Sequence, residues 1–278
     1  MNVLELTLLL AIMAFAAGFL GSLTGMGGGI VIVPGLTLLF GVEIRYAIGA
    51  ALISVIATSS GAAAAYVKEG FANIRLGLFL EIATTIGAVV GAFLATKISG
   101  NSIAVIFGGI LLYSAYAMMR NTQSPHKTNA ADALAVRLRL DGTYPLKNNL
   151  VAYHVRHVPL GFALMLAAGI LSGLLGIGSG ALKVLAMDRA MQIPFKVSTT
   201  TSNFMIGVTA AASAGIYLNR GYIDPGLAMP VMLGVLAGSM LGARVLAQAN
   251  VRILKIVFSV VVTALAAQMI INGILGKI

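Results

Sequence analysis

GFLGSLTGMGGGIVIVPGLTLLF at residues 18–40 and GILSGLLGIGSGALKVLAMDRA at residues 169–190 are the two stretches on which the reading of this chain turns. Each is an apolar run interrupted by a glycine cluster, Gly25-Met26-Gly27-Gly28-Gly29 in the first and Gly176-Ile177-Gly178-Ser179-Gly180 in the second. The run before each cluster is near 20 residues, the length that crosses roughly 30 Å of hydrocarbon at about 1.5 Å per residue. The run after each is about 15 residues, or about 22 Å of helix, too short to cross easily. The clusters are therefore read as elbows where a helix breaks inside the bilayer.

Composition sets the frame for that reading. Of 278 residues 59% are hydrophobic and 9% charged, and the mean hydropathy is +0.99. A soluble domain carries roughly 25% charged residues, and so few charges cannot clothe a water-exposed surface. In lipid every backbone amide needs an internal partner, which leaves helices or closed barrels. The runs lack the alternation of strands, so the expected fold is an all-α integral membrane protein. The first apolar run has no basic residue before Glu5 and leads into Gly25 instead of a small-residue cleavage site, so it is read as structure and not as a leader.

Working outward, apolar segments are expected at 4–24, 26–40, 46–67, 76–97 and 101–120, then at 158–176, 178–192, 196–217, 227–247 and 251–272. These define a first repeat at 1–120, a linker at 121–157 and a second repeat at 158–278. The repeats match without a gap. Gly18, Leu20, Leu23, Gly25, Gly27, Gly29 and Val33 pair with Gly169, Leu171, Leu174, Gly176, Gly178, Gly180 and Val184. Thr58, Tyr66, Gly70, Leu76, Gly87, Gly91 and Phe107 pair with Thr209, Tyr217, Gly221, Leu227, Gly238, Gly242 and Phe258 in the same register. Five segments per repeat, an odd number, predict an inverted repeat.

The net charge of +10 forms no single patch that would suit nucleic acid. It separates by side instead. Thirteen basic residues, running from Lys68 and Arg75 through Arg137 and Arg139 to Arg244 and Lys255, fall on the linker side, and only Arg45, Lys97, Arg220 and Lys277 on the other. The positive-inside rule then predicts a cell inner membrane protein with a cytoplasmic linker and both termini periplasmic. Within the linker, the alternating run 134–140, the turn signal Asp141-Gly142 and a return strand at 151–158 predict a short hairpin. Tyr46, Tyr66, Tyr113, Tyr116, Tyr217 and Tyr222, near segment ends, predict an interfacial belt in a chain without tryptophan.

Four features bear on chemistry. The glycine elbows lack the preceding strand and the Gly-Lys-Ser/Thr of a nucleotide loop. Two readings remain, close helix packing through small residues or a broken helix whose half-helix N-terminus offers amides and partial positive charge to an anion. The candidate binding positions are Gly25, Gly27, Gly28, Gly29, Gly176, Gly178, Ser179 and Gly180. Lys183 follows in an otherwise apolar segment, where the first repeat has Ile32; a lysine at that depth is paired, faces a cavity or snorkels to an interface. Ser198-Thr199-Thr200-Thr201-Ser202-Asn203 opens the segment 196–217, and Thr58 and Ser59 offer hydroxyls in the first repeat; such groups coordinate oxyanions or bond back to their own helix. Glu81, the one acid well inside a first-repeat segment, is a candidate to carry a coupling proton or to pair with Lys183; the alternative is an acid near the interface, about a turn and a half from Leu76. With no His or Cys in the apolar segments, a catalytic residue, a metal site and a cofactor are not expected. His126, His154 and His157 all fall in the linker.

The paired elbows, Val33-Pro34 after the first, and the pairs Tyr66…Gly70 and Tyr217…Gly221 resemble the sulfite exporter TauE/SafE family, also called the 4-toluene sulfonate uptake permease family. The resemblance covers nearly the whole chain. It implies a membrane protein that moves sulfur-containing anions such as sulfite, sulfoacetate or other organosulfonates, with the elbow glycines at the motif positions. The sequence departs from the doubled pattern at Ser179, where the first repeat has Gly28, and at Leu185, where it has Pro34. The expected function is a secondary transporter, an exporter by the family name, of a small inorganic or organosulfur anion; the alternatives are an anion channel or a membrane subunit of a larger complex. The expected partners are that anion and the lipid bilayer, with a homo-oligomer open and no nucleic acid.

Overall fold

The computed structural model describes residues 2–24, 28–68, 71–119, 132–146, 149–246 and 251–278. The first repeat contains α1 (Val3–Thr24), α2 (Gly29–Phe40), α3 (Ile44–Lys68), α4 (Ile74–Ala95) and α5 (Gly100–Met119). The linker holds α6 (Ala133–Arg137) and an antiparallel pair, β1 (Gly142–Leu146) with β2 (Asn149–Tyr153). The second repeat contains α7 (Val158–Leu175), α8 (Gly180–Leu185) running into a π-helical turn at Ala186–Ala190, α9 (Phe195–Asn219), α10 (Pro225–Leu246) and α11 (Val251–Ile274). Four of these, α1, α4, α7 and α10, are each long and apolar enough to cross a membrane.

The helices are amphipathic with small and polar residues inward. On α4 the exposed side carries Leu78, Ile82, Ile86, Val89, Val90 and Phe93, while Gly77, Glu81, Thr84, Ala88 and Gly91 are buried. Burying small residues lets backbones approach closely, the source of packing energy where lipid is as apolar as leucine. The approach is repeated in both halves. A side chain at Gly18 would strike the Val235 carbonyl, and one at Gly169 the Thr84 carbonyl. Gly238 lies against the Phe15 carbonyl, and Gly87 against that of Leu166. Each residue in these contacts maps onto its counterpart 151 positions away. The structure thus pairs the first helix of each repeat with the fourth of the other, α1 with α10 and α7 with α4.

Registers along these pairs give the relative sense of the halves. Gly87 meets Leu166 and Gly91 meets Ile170, so α4 and α7 are parallel. Asn73 meets Thr201 and Glu81 meets Thr209, so α4 and α9 are parallel. Gly234 meets Ala11 and Gly238 meets Phe15, so α10 runs with α1. Because the short turn at 220–224 reverses the chain between α9 and α10, α1 and α7 point in opposite directions. The repeat is inverted. The linker packs at the starts of α4 and α7, and the end of the chain sits on the opposite face, where Ile278 N donates to Asn101 Oδ1 at 3.1 Å.

Two expectations need correction. The alternating run 134–140 is not a strand; Asp132 caps Leu134 N at 3.2 Å and starts α6. The hairpin is present but shifted, with Asp141 ahead of β1, where its carboxylate takes Val155 N at 2.8 Å and faces His154 Nδ1 at 3.0 Å. Side-chain capping overrode the period-2 pattern. Tyr217 is not part of an interfacial belt. It is 1% exposed and its hydroxyl donates to the Gly173 and Leu174 carbonyls at 3.2 and 3.3 Å, while Tyr113 and Tyr116 are exposed as expected. Tyr66 has a side chain outside the described residues.

Candidate functional site

Gly28 and Gly29 of the first elbow are buried, and Gly29 touches the second elbow. Gly29, the first residue of α2, packs so closely that an added Cβ would lie 3.1 Å from the Gly176 carbonyl. Gly28 is the N-cap of α2 and carries no side chain to cap it. Gly25 and Gly27 lie outside the described residues. In the second elbow Gly176 and Gly178 have φ of +68° and +70°, a region that disfavours a Cβ. Ser179 is in the same region at φ +45°, one of four non-glycine residues among those described to be so. It carries there a strain that a glycine would avoid, whereas its counterpart Gly28 is right-handed at φ −69°. The helices that follow are short: α2 has 12 residues, and α8 has 6 before the π turn. At about 1.5 Å per residue neither reaches across a bilayer.

Buried polar atoms without partners gather at the second elbow. Among the described residues the hydroxyls of Ser172 and Ser179 have no hydrogen bond, and both residues are almost wholly enclosed. Ser172 lies one turn before Gly176, whose N–H donates to the Ser172 carbonyl at 2.8 Å. Ser179 lies one turn before Lys183, on the same face of the helix. Such unpaired groups are rare in native interiors and call for an explanation.

Lys183 does not snorkel. It is 0% exposed, and its Nζ donates to Thr209 Oγ1 at 2.5 Å. Thr209 Oγ1 in turn lies 2.6 Å from Glu81 Oε1, which also accepts from Thr85 Oγ1 at 3.2 Å. The second carboxylate oxygen, Oε2, has no hydrogen bond and stands 3.8 Å from Lys183 Nζ. Lys183 and Glu81 therefore do pair, across the two repeats and mostly through the Thr209 hydroxyl. The equivalent positions in the pseudo-symmetric half are Ile32, Thr58 and Met232. Ile32 is fully buried, so the fold accommodates this locus without charge.

The hydroxyl run contributes less than its length suggests. Ser198, Thr199 and Thr200 bond back to the Ile193, Phe195 and Lys196 carbonyls at 3.3, 2.9 and 2.9 Å. Thr201 accepts from Asn73 N at 3.0 Å, tying α9 to α4. Only Ser202 reaches the elbow, donating to the Gly180 carbonyl at 3.2 Å. Asn203 is 8% exposed. In the first repeat Thr58 bonds back to the Ser54 carbonyl at 3.0 Å and Ser59 to that of Ile56 at 3.1 Å. The sequence did not single out Thr209 or Ser172. Thr209 was marked by its match to Thr58; Ser172, within an apolar run, gave no signal.

Asn73 joins the membrane helices to the linker. Its Oδ1 caps Leu76 N at 3.0 Å, and its Nδ2 donates to the Leu140 carbonyl and to Tyr153 Oη, both at 2.8 Å. Burial pushes the Tyr153 phenol up to about 12.

The chain is similar to the probable membrane transporter proteins YunE and YdhB of Bacillus subtilis. Identity to YunE is 29% over 273 residues, covering 96% of this chain and 98% of that one. Identity to YdhB is 26%, covering 85% and 89%. It is also 26% identical to the probable membrane transporter protein MJ0441 of Methanocaldococcus jannaschii, over 95% of both chains. No solved structure matches the chain. The family model described as sulfite exporter TauE/SafE matches residues 10–269. With inverted repeats, touching elbows and a match over nearly its whole length, the chain is a multi-pass membrane transporter that belongs to the sulfite exporter TauE/SafE family.

Proposed function

We propose that this protein is a secondary transporter of a small anion, sulfite or an organosulfonate such as sulfoacetate, with export the direction implied by the family name. The observation that carries the reading is the fully buried Lys183 one turn beyond an elbow whose Ser172 and Ser179 hydroxyls lack partners. A buried ammonium is costly unless an anion or a cavity faces it. Hydroxyls with unused donors suit a sulfonate or sulfite oxygen without holding it too tightly. Gly28 and Gly29 add the start of α2, where backbone amides and the helix dipole favour negative charge, and Ser202 holds the elbow to α9. Repeats 1–120 and 158–278 enclose the site from both sides. The excess of basic residues on the linker side supports a cytoplasmic linker in the inner membrane.

The test is flux into proteoliposomes. Sulfite or sulfoacetate uptake should saturate and show counterflow; no flux, or a linear conductance without counterflow, would refute a carrier. Replacing Lys183→Met removes a charge-assisted contact of about 1.5–3 kcal/mol, which corresponds to a tenfold to hundredfold rise in the half-saturating anion concentration. An unchanged value would remove Lys183 from the site.

A further inference from the structure

We propose that Glu81 is an internal counter-ion that the transported anion displaces from Lys183, so that each anion travels with a proton on Glu81. This rests on the anion-carrier reading and adds its coupling. The pair is built to be parted. Glu81 Oε2 has no hydrogen bond and lies 3.8 Å from Lys183 Nζ, beyond hydrogen-bond distance. An ammonium has three N–H donors, and among the described residues Lys183 Nζ bonds only Thr209 Oγ1. A partly satisfied ionic network is a poor device for stability in a low-dielectric interior. The other repeat places Ile32, Thr58 and Met232 at the same positions. The charges are therefore not a requirement of the architecture.

Charge conservation in the buried site then sets the coupling. The empty site holds Lys183 as a cation and Glu81 as an anion, and is neutral. A monoanion bound to Lys183 alone would leave one uncompensated negative charge. Among the described residues no further charge adjoins it. The segment forming α7 has no ionisable side chain, and α9 carries only Lys196 in its first turn and Tyr217 towards its far end. On α4 the other charge is Arg75 in the first turn, and Asp188 and Arg189 sit on the π-helical turn beyond α8. Among the described residues the hydrogen-bonding neighbours of the carboxylate are the Thr85 and Thr209 hydroxyls. A proton taken from water by Glu81 converts its carboxylate to the neutral acid, which can donate to a hydroxyl oxygen while Lys183 turns its free N–H groups to the anion. The empty form and the form holding anion plus proton are both neutral, and these two are the forms able to reorient. Anion and proton move in the same direction, and the sum of the anion and proton gradients decides which way, so export requires an outward anion gradient larger than any inward proton gradient.

Proteoliposomes with internal pyranine and an inward gradient of methanesulfonate test this, because a strong-acid sulfonate carries no proton of its own near neutral pH. The wild type should acidify the lumen with about one proton per anion, the ratio that keeps the buried site neutral, and clamping the potential with valinomycin should leave the rate unchanged. In Glu81→Gln, methanesulfonate-driven lumenal acidification should disappear, and any counterflow that remains should carry no protons. Wild-type methanesulfonate uptake without acidification overturns the proposal, as does acidification that survives in Glu81→Gln. The wild-type ratio is decisive even if the variant fails to fold. Absence of both methanesulfonate and sulfite flux would refute the carrier reading itself, which flux without protons would leave standing.

Discussion

Replacing Lys183→Ile copies into the second repeat the residue that the first repeat has at Ile32. The substitution leaves Glu81, 5% exposed, with hydroxyl neighbours but no cation. Removing one partner of a buried pair costs about 3–5 kcal/mol, because the remaining charge is uncompensated. At about 2–4 °C per kcal/mol for a chain of this size, the melting temperature in detergent should fall by roughly 6–20 °C. The double variant Lys183→Ile/Glu81→Met reproduces both apolar residues of the pseudo-symmetric site, Ile32 and Met232. It should recover most of that loss, since well-packed apolar replacements of buried pairs are neutral or stabilising. The assay is thermal unfolding followed by size-exclusion of the surviving monodisperse protein. Both variants should need at least about a tenfold higher anion concentration for half-maximal flux, so stability and transport part company in the double variant. A double variant no more stable than Lys183→Ile alone would refute the reasoning, since the two residues would then not be coupled.

Other consequences concern packing, the elbow and the linker. Gly169→Val forces a side chain into the Thr84 carbonyl and Gly18→Val into that of Val235, so both should abolish monodisperse protein. Gly215→Ala, with nothing within 4 Å of the added Cβ, should be neutral or stabilise by up to about 1 kcal/mol on thermal unfolding. Ser179→Gly relieves a positive φ and should keep or raise stability by up to about 1 kcal/mol, while weakening anion binding in a counterflow assay; unchanged affinity would remove this hydroxyl from the site. Asn73→Ala removes the α4 cap and two bonds to the linker, about 2–4 kcal/mol in all, and should speed proteolysis within 132–157. Tyr153 has a pKa raised by burial, so its stabilising contribution is complete below its unfolded value near 10 and is lost as pH rises towards about 12; absorbance titration of the phenolate should show late ionisation, which Asn73→Ala delays further by removing the Nδ2 donor that favours the phenolate.

Much of the architecture was legible because it rests on one-dimensional quantities. Segment length against bilayer thickness identified the helices, and the constant register between Gly18 and Gly169 or Gly87 and Gly238 identified the duplication. Those same glycines turned out to be where the backbones of α1 and α10, and of α4 and α7, come together. An odd number of segments was enough to anticipate the inversion. Local capping was harder to read. Asp132 and Asp141 made a helix and a strand edge where alternation and a turn dipeptide suggested a hairpin. Tyr217 was near a segment end in sequence yet inside the protein, because α9 is packed on α3, α4, α7 and α8 and buries much of its length.

The sequence by itself determined that this chain crosses a membrane as two related halves, that each half breaks at a glycine elbow, and that the charges Lys183 and Glu81 lie in apolar surroundings. These follow from local composition and period, which the bilayer constrains directly. Only the tertiary structure decided that Gly29 meets Gly176, that Glu81 of one repeat faces Lys183 of the other through Thr209, and that Thr199, Thr200 and Thr201 bond elsewhere while Ser172 and Ser179 remain unpartnered. Those outcomes depend on which faces of helices distant in sequence are pressed together. That is set by close packing of small residues between the repeats, and no pattern within either segment records it.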